Sequence, residues 1–184
     1  ERENEQTGDK IRIGQAAAQL VGEGETIFLG SGTTVLEVAR ALRKRAGLTV
    51  ITNSLPVLNS LSGLPDVTVI ALGGMLRDSE LSFIGHITEQ ALAEVRADKV
   101  IIGTHAISVE HGLTNDFLPE TLTDRAILKA GHEVIVAVDH TKFGRVAHVF
   151  LAPITSVNTI VTDEQTPPDF VKNVQARGIR VIVA

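Results

Sequence analysis

Cysteine is absent from this chain, as are tryptophan and tyrosine, and the aromatic content is six phenylalanines. Without a thiol there is neither a disulfide nor a thiolate metal site, and nothing suggests an oxidising compartment. Scarce aromatics mean few of the large anchors that dominate protein docking surfaces, which counts against a pure interaction domain. No run of Lys and Arg interrupts a formal net charge of -5. The segment therefore lacks a stripe able to grip a nucleic-acid backbone through counterion release, and any DNA contact belongs to another part of the protein. No apolar stretch approaches the ~20 residues a membrane span needs, and no signal peptide opens the chain. Cytoplasm is the expected compartment.

What remains is a chain of 184 residues, 43% hydrophobic and 21% charged, which suits one globular domain with a proper core. It starts at Glu1 rather than Met, with a polar segment that has no apolar periodicity. Residues 1–9 are read as a residual linker from a longer protein and 10–184 as the domain.

The domain is organised around Thr26 to Val38, TIFLGSGTTVLEV. Ile27, Phe28 and Leu29 read as a strand buried on both faces, broken by Gly30, Ser31 and Gly32. A helix follows at once, with Thr33 or Thr34 as its expected cap and Val35, Ala39 and Leu42 on its apolar face. A strand running through such a turn into a helix aims backbone N–H groups, hydroxyls and a positive dipole end at one point, which suits an anion and phosphate above all. The turn matches neither the GxxxxGK[ST] nucleotide loop nor GxGxxG.

Elsewhere the chain alternates helices with Val/Ile-rich runs: Leu48 to Thr52, Val67 to Leu72, Val100 to Ile102, Val134 to Val138, Thr159 to Thr162 and Arg180 to Val183. Helices are expected around Ile13 to Val21, from Ser54, from Ile87 to Arg96, from Pro119 to Ala130 and from Pro168 to Arg177. This alternation predicts a three-layer α/β fold: a mostly parallel sheet with helices on both faces. Two long loops, Arg77 to Gly85 and His105 to Leu118, are expected to be functional.

Ligands of open α/β sheets bind beyond the carboxyl ends of the strands. The residues expected there are Ser31, Gly32, Thr33, Thr34, Asn53, Ser54, Gly73, Gly74, Arg77, His105, Asp139 and Lys142, with Glu120 opening the helix after the second loop. Amide, carboxylate and hydroxyl groups suit sugar hydroxyls, while Arg, Lys and backbone N–H groups suit a phosphate. The histidines show no metal-ligand spacing, so neither a metal nor another cofactor is expected.

The runs GSGTT, VITNSLPV (Val50 to Val57), LGGMLRDSELSFIG (Leu72 to Gly85), HGLT (His111 to Thr114), VDHTKFGR (Val138 to Arg145) and IVTDE (Ile160 to Glu164) together resemble the C-terminal sensor domain of DeoR-family bacterial transcriptional regulators. The resemblance covers nearly everything from Lys10 onward. It implies a fold similar to ribose-5-phosphate isomerase, a phosphorylated sugar or related metabolite as effector, a homo-oligomer, and operator DNA bound through a separate N-terminal helix-turn-helix domain. The family commonly has an Asp where this chain has Gly30, and often Gly-Ile-Asp where it has Ala106, Ile107 and Ser108. The related isomerase has acidic residues where this chain has Thr104, His105 and Ser108. The expected protein is a repressor module that binds without turnover; the alternative is a sugar-phosphate isomerase-like enzyme with His105 as base.

Overall fold

The computed structural model describes residues 2–184, with side chains from Gln6 onward. Glu1, the first residue of the expected linker, lies outside the described residues. Helix α1 (Arg2–Ala18) leads to β1 (Thr26–Leu29), α2 (Thr33–Leu42), β2 (Leu48–Thr52), α3 (Leu55–Leu61) and β3 (Val67–Ala71). A hairpin of β4 (Met75–Arg77) and β5 (Ser82–Ile84) precedes α4 (His86–Leu92), β6 (Ala97–Ile102), β7 (Ala106–Ser108), β8 (Gly112–Asn115) and α5 (Leu118–Lys129). The chain ends with β9 (Gly131–Ala137), a 3-10 turn at His140–Lys142, β10 (Val149–Ala152), a second turn at Ile154–Ser156, β11 (Thr159–Thr162), α6 (Pro168–Gln175) and β12 (Arg180–Val183).

Seven strands form the main sheet in the order β12-β11-β9-β6-β1-β2-β3. Every pairing in it is parallel, so the sheet is wholly rather than mostly parallel. Alternation along the central strands divides the core in two. Ile27 and Leu29 of β1, Ile101 of β6, and Ile135 and Ala137 of β9 pack with Ile13 of α1, Val35 and Leu42 of α2, and Leu61 of α3. The intervening Phe28, Val100, Ile102, Val134 and Val136 pack on the other face with Leu92 of α4, Ile127 of α5, Val174 of α6 and the small antiparallel sheet β10-β8-β7. Burial on both faces is why these strands read as continuous apolar runs rather than as alternating ones. Removing the fully buried Phe28 ring would cost about 3–5 kcal/mol.

Several boundaries differ from the sequence expectations. Helix α2 stops at Leu42 rather than near Ala46, and Arg45 beyond it donates to the carbonyl oxygens of Val21 at 2.6 Å and Ala18 at 3.3 Å, closing the end of α1. The first long loop holds the turn and second strand of the β4-β5 hairpin and the second loop holds the whole β7-β8 hairpin; their strands of three or four residues are too short to show a period. Strand β10, which the alternation does not mark, adds to β8 in antiparallel register.

Candidate functional site

The strand order turns back between β1 and β6, since β2 and β3 lie to one side of β1 and the later strands lie beyond β6. Loops leaving the carboxyl ends of these two neighbours diverge, and the crevice between them is the usual ligand position in such a sheet. A cleft of about 460 Å³ opens there, lined by Ser31 to Leu36, by Gly103 to His105 and by parts of the β4-β5 hairpin, α5, α1 and the His140–Lys142 turn.

The first wall is the start of α2. Gly32, not Thr33 or Thr34, is the N-cap residue, and no side-chain hydrogen bond closes the helix end. Its φ of 103° falls where side chains are rarely accommodated, so a glycine is required for the backbone to turn into the helix. Thr33 and Thr34 occupy the first turn and both line the cleft. The expected cap would have consumed a backbone donor that this geometry leaves directed at the cleft.

The opposite wall is held by Glu120. This residue, 7% exposed, opens α5 and accepts hydrogen bonds from Ser31 Oγ and Ser82 Oγ, both at 3.1 Å. It also forms an ion pair with Arg77 of β4, whose guanidinium lies 4.2 Å from the centre of the Phe117 ring. Arg77 does not pair with its neighbours Asp78 or Glu80 in the manner of a surface charge; it spans from the hairpin to α5. Glu120 thus joins three segments and sits behind Ser31 of the glycine turn.

A second chain of contacts runs through Asn115. Its Oδ1 accepts from the backbone N–H of His105 at 3.0 Å, and its Nδ2 donates to Asp124 Oδ2 at 3.3 Å. His105, on the partly open rim, has Nδ1 2.6 Å from Asp116 Oδ1 and Nε2 3.9 Å from Glu80 Oε1. The Asp124 carboxyl is pushed up to about 8 by burial, and by the charges of Glu120 and Glu80, against a smaller opposing effect of Arg77. At neutral pH it is mostly a neutral acid able to donate a hydrogen bond. Lys10 from α1 and Lys142 from the 3-10 turn complete the cleft, and neither has an ion-pair partner among the described residues.

Of the residues expected at the site, Ser31, Gly32, Thr33, Thr34, Arg77, His105, Glu120 and Lys142 come together in the cleft. Asn53, Ser54, Gly73, Gly74 and Asp139 do not line it. Asn53 is buried and donates through Nδ2 to Phe83 O at 2.9 Å, fastening the β4-β5 hairpin to the end of β2. Ser54 caps α3 by accepting from Val57 N. Gly73 O accepts from Thr88 Oγ1 at 2.7 Å, and a Cβ on Gly74 would fall 2.0 Å from that hydroxyl. Asp139 is 1% exposed and caps the 3-10 turn through Thr141 N at 2.9 Å. These residues brace the segments that carry Arg77 and Lys142.

Sequence reasoning missed Lys10, which lies at the edge of the supposed linker, and the acidic set Glu80, Asp116 and Asp124. Asp116 and Asp124 flank Glu120, and a helical spacing of four places Asp124 one turn beyond it, a pattern available in the sequence but indistinguishable there from a solvated face. Carboxylates are therefore present in the cleft, although not at Thr104, His105 and Ser108, where the isomerase comparison had sought them.

The arrangement is a cleft at the topological switch point of an α/β sheet, and solved structures support the fold. One is similar over 76% of this chain and 55% of its own, with a TM-score of 0.55 and 18% identity: ribose 5-phosphate isomerase A from Methanocaldococcus jannaschii. The chain belongs to the DeoR family: residues 5–164 match the DeoR C-terminal sensor domain. It is 35% identical over 167 residues to the glycerol-3-phosphate regulon repressor of Escherichia coli K12, covering 91% of this chain and 66% of that protein. The HTH-type transcriptional repressor CsqR of the same organism is 32% identical over 183 residues, which is 100% of this chain and 70% of CsqR. This chain thus spans about two thirds of the length of these relatives, both of which are named as repressors. No helix among the described residues is long and apolar enough to cross a membrane.

Proposed function

We propose that this domain binds a phosphorylated sugar or polyol in the cleft beyond β1 and β6 and thereby sets the DNA affinity of a cytoplasmic repressor. The observation that carries this reading is the start of α2, where the helix opens from Gly32 with no side-chain cap into a cleft that also holds Lys10 and Lys142. Helix N–H groups and two ammonium groups suit the phosphate. Glu120, Asn115 and the neutral Asp124 offer the mixed acceptors and donors that hydroxyls require. That one relative is named for glycerol 3-phosphate fits a small phosphorylated polyol.

Binding without turnover is also consistent with the chemistry. Glu120 is tied to Arg77 and two serines, and Asp124 retains its proton, so the inner carboxyls are poorly placed to take a proton from carbon. Effector binding would shift the population between arrangements of a homo-oligomer that holds two DNA-reading domains.

The test is a thermal-shift panel of phosphorylated sugars and polyols beside their unphosphorylated forms. A ligand that binds only the native state stabilises it by about 2.7 kcal/mol at one hundred times its Kd. A phosphorylated compound is expected to raise the melting temperature and its parent alcohol to do far less. Replacing Thr33 and Thr34 by Val should weaken that ligand while leaving the unliganded melting temperature nearly unchanged, since each charge-assisted hydrogen bond contributes about 1.5–3 kcal/mol. Equal affinity in the double variant would remove the two hydroxyls from the phosphate contacts, and equal shifts by phosphorylated and unphosphorylated compounds would refute the phosphate assignment.

A further inference from the structure

A second group of ligating side chains lies at the carboxyl ends of β9 and β11. It combines Asp9 of α1, His140 of the 3-10 turn and Asp163, which directly follows β11. His140 Nδ1 is 2.9 and 3.0 Å from the two carboxylate oxygens of Asp163 and 3.9 Å from Asp9 Oδ2. One potential ligand atom from each residue lies within 4.8 Å of the others. Both carboxylates are buried, at 3% exposure for Asp9 and 1% for Asp163.

The two carboxylates are not equally satisfied. Asp163 accepts from His140 N at 2.8 Å and Gln165 N at 2.9 Å, besides the imidazole. Asp9 pairs through Oδ1 with Arg12, but its Oδ2 is buried with no hydrogen-bond partner among the described residues, and the imidazole nitrogen is 3.9 Å away. A buried carboxylate oxygen without a donor is costly, and native structures rarely leave one without a bound water or ion.

The geometry points to a binding site for one divalent transition-metal ion, held by Asp9 Oδ2, His140 Nδ1 and a carboxylate oxygen of Asp163. An imidazole with two carboxylates suits the borderline ions of the Mn²⁺, Co²⁺ and Zn²⁺ group, whereas Ca²⁺ and Mg²⁺ favour oxygen-only sets. Water would complete the coordination. Spacing in the sequence gives no sign of this site, because its three ligands come from segments that only the sheet brings together. An ion here would tie α1 to the turn after β9, and both segments also feed the effector cleft: Lys10 follows Asp9, and Lys142 shares the turn with His140. The proposal does not depend on the identity of the effector.

The experiment is a titration of the chelator-treated 184-residue chain with Co²⁺, followed by visible absorption, and then displacement by Zn²⁺ with Mg²⁺ in excess. One saturable site per chain is expected, displaced by Zn²⁺ and not by Mg²⁺. Asp9→Asn and His140→Gln should each weaken it more than about 10-fold. Failure to saturate, ready displacement by Mg²⁺, or unchanged binding in both variants would overturn the assignment. Should a variant not fold, Mn²⁺ broadening of amide resonances in the unaltered chain decides the matter. Broadening centred on Asp9, His140 and Asp163 supports the site, and broadening centred on other histidines, such as His111 or His148, rejects it.

Discussion

Asp124 shows how carboxyls gathered in a buried cleft leave a mark on stability. Its carboxyl ordinarily titrates near 3.8 and here is raised to about 8, first by burial and then by Glu120 and Glu80. The folded protein keeps a proton that the unfolded chain releases. The stability contributed by this group is therefore fully present below pH 3.8, falls as the pH rises, and is gone above about 8. Asp124→Asn removes the titration while keeping a side chain of the same shape. The variant should gain melting temperature relative to wild type as the pH rises towards 8, with the difference constant beyond that. A difference that is the same at every pH would show that Asp124 is not held protonated.

Short elements carry the cleft, and they depend on close packing more than on their own propensity. The β4-β5 hairpin meets the start of α4 at Gly74, whose φ is 153°, and an added Cβ would sit 2.0 Å from Thr88 Oγ1 and 2.9 Å from Ile84 O. Gly74→Ala should destabilise the fold by about 1–3 kcal/mol, because the Thr88 side chain and the hairpin must move apart. The same movement breaks the Thr88 to Gly73 hydrogen bond. Adding Thr88→Ala should recover part of the loss, giving a non-additive cycle in chemical denaturation. Strict additivity would mean that the hairpin relaxes elsewhere. The Gly74 variant should also bind effector less well, since Arg77 lies on the displaced strand.

For the molecule as a whole, charge divides the labour. With a formal net charge of -5 and no basic stripe, this domain gains little from counterion release, the source of nearly all non-specific DNA affinity. The 184-residue chain should not retard DNA at physiological salt. A longer form carrying a helix-turn-helix domain should bind an operator with two-fold character, provided that sensor domains pair and set the half-site spacing. A mobility assay on both forms, with light scattering on the shorter one, tests this. Retardation of DNA by the 184-residue chain alone would contradict the division.

The layered architecture was legible because its physical cause is local and repeated. Runs such as Ile27 to Leu29 and Val134 to Val138 are apolar without alternation only when both faces of a strand are buried, and the helices between them leave a parallel sheet as the solution. The glycine turn before α2 could be read for the same reason, since backbone freedom and helix polarity are properties of adjacent residues. Tertiary structure alone decided which strand-end residues share the cleft. Asn53 and Asp139 have the chemistry of ligands yet are turned inward to brace hairpin and turn, while Lys10, from the edge of a segment that reads as linker, reaches the cleft on α1. The pairing of Arg77 with Glu120, the proton on Asp124 and the meeting of Asp9, His140 and Asp163 were equally out of reach. Each depends on distances between segments remote in the chain and on the burial those segments impose on polar groups, and residue types with their local spacing do not say which remote segments meet.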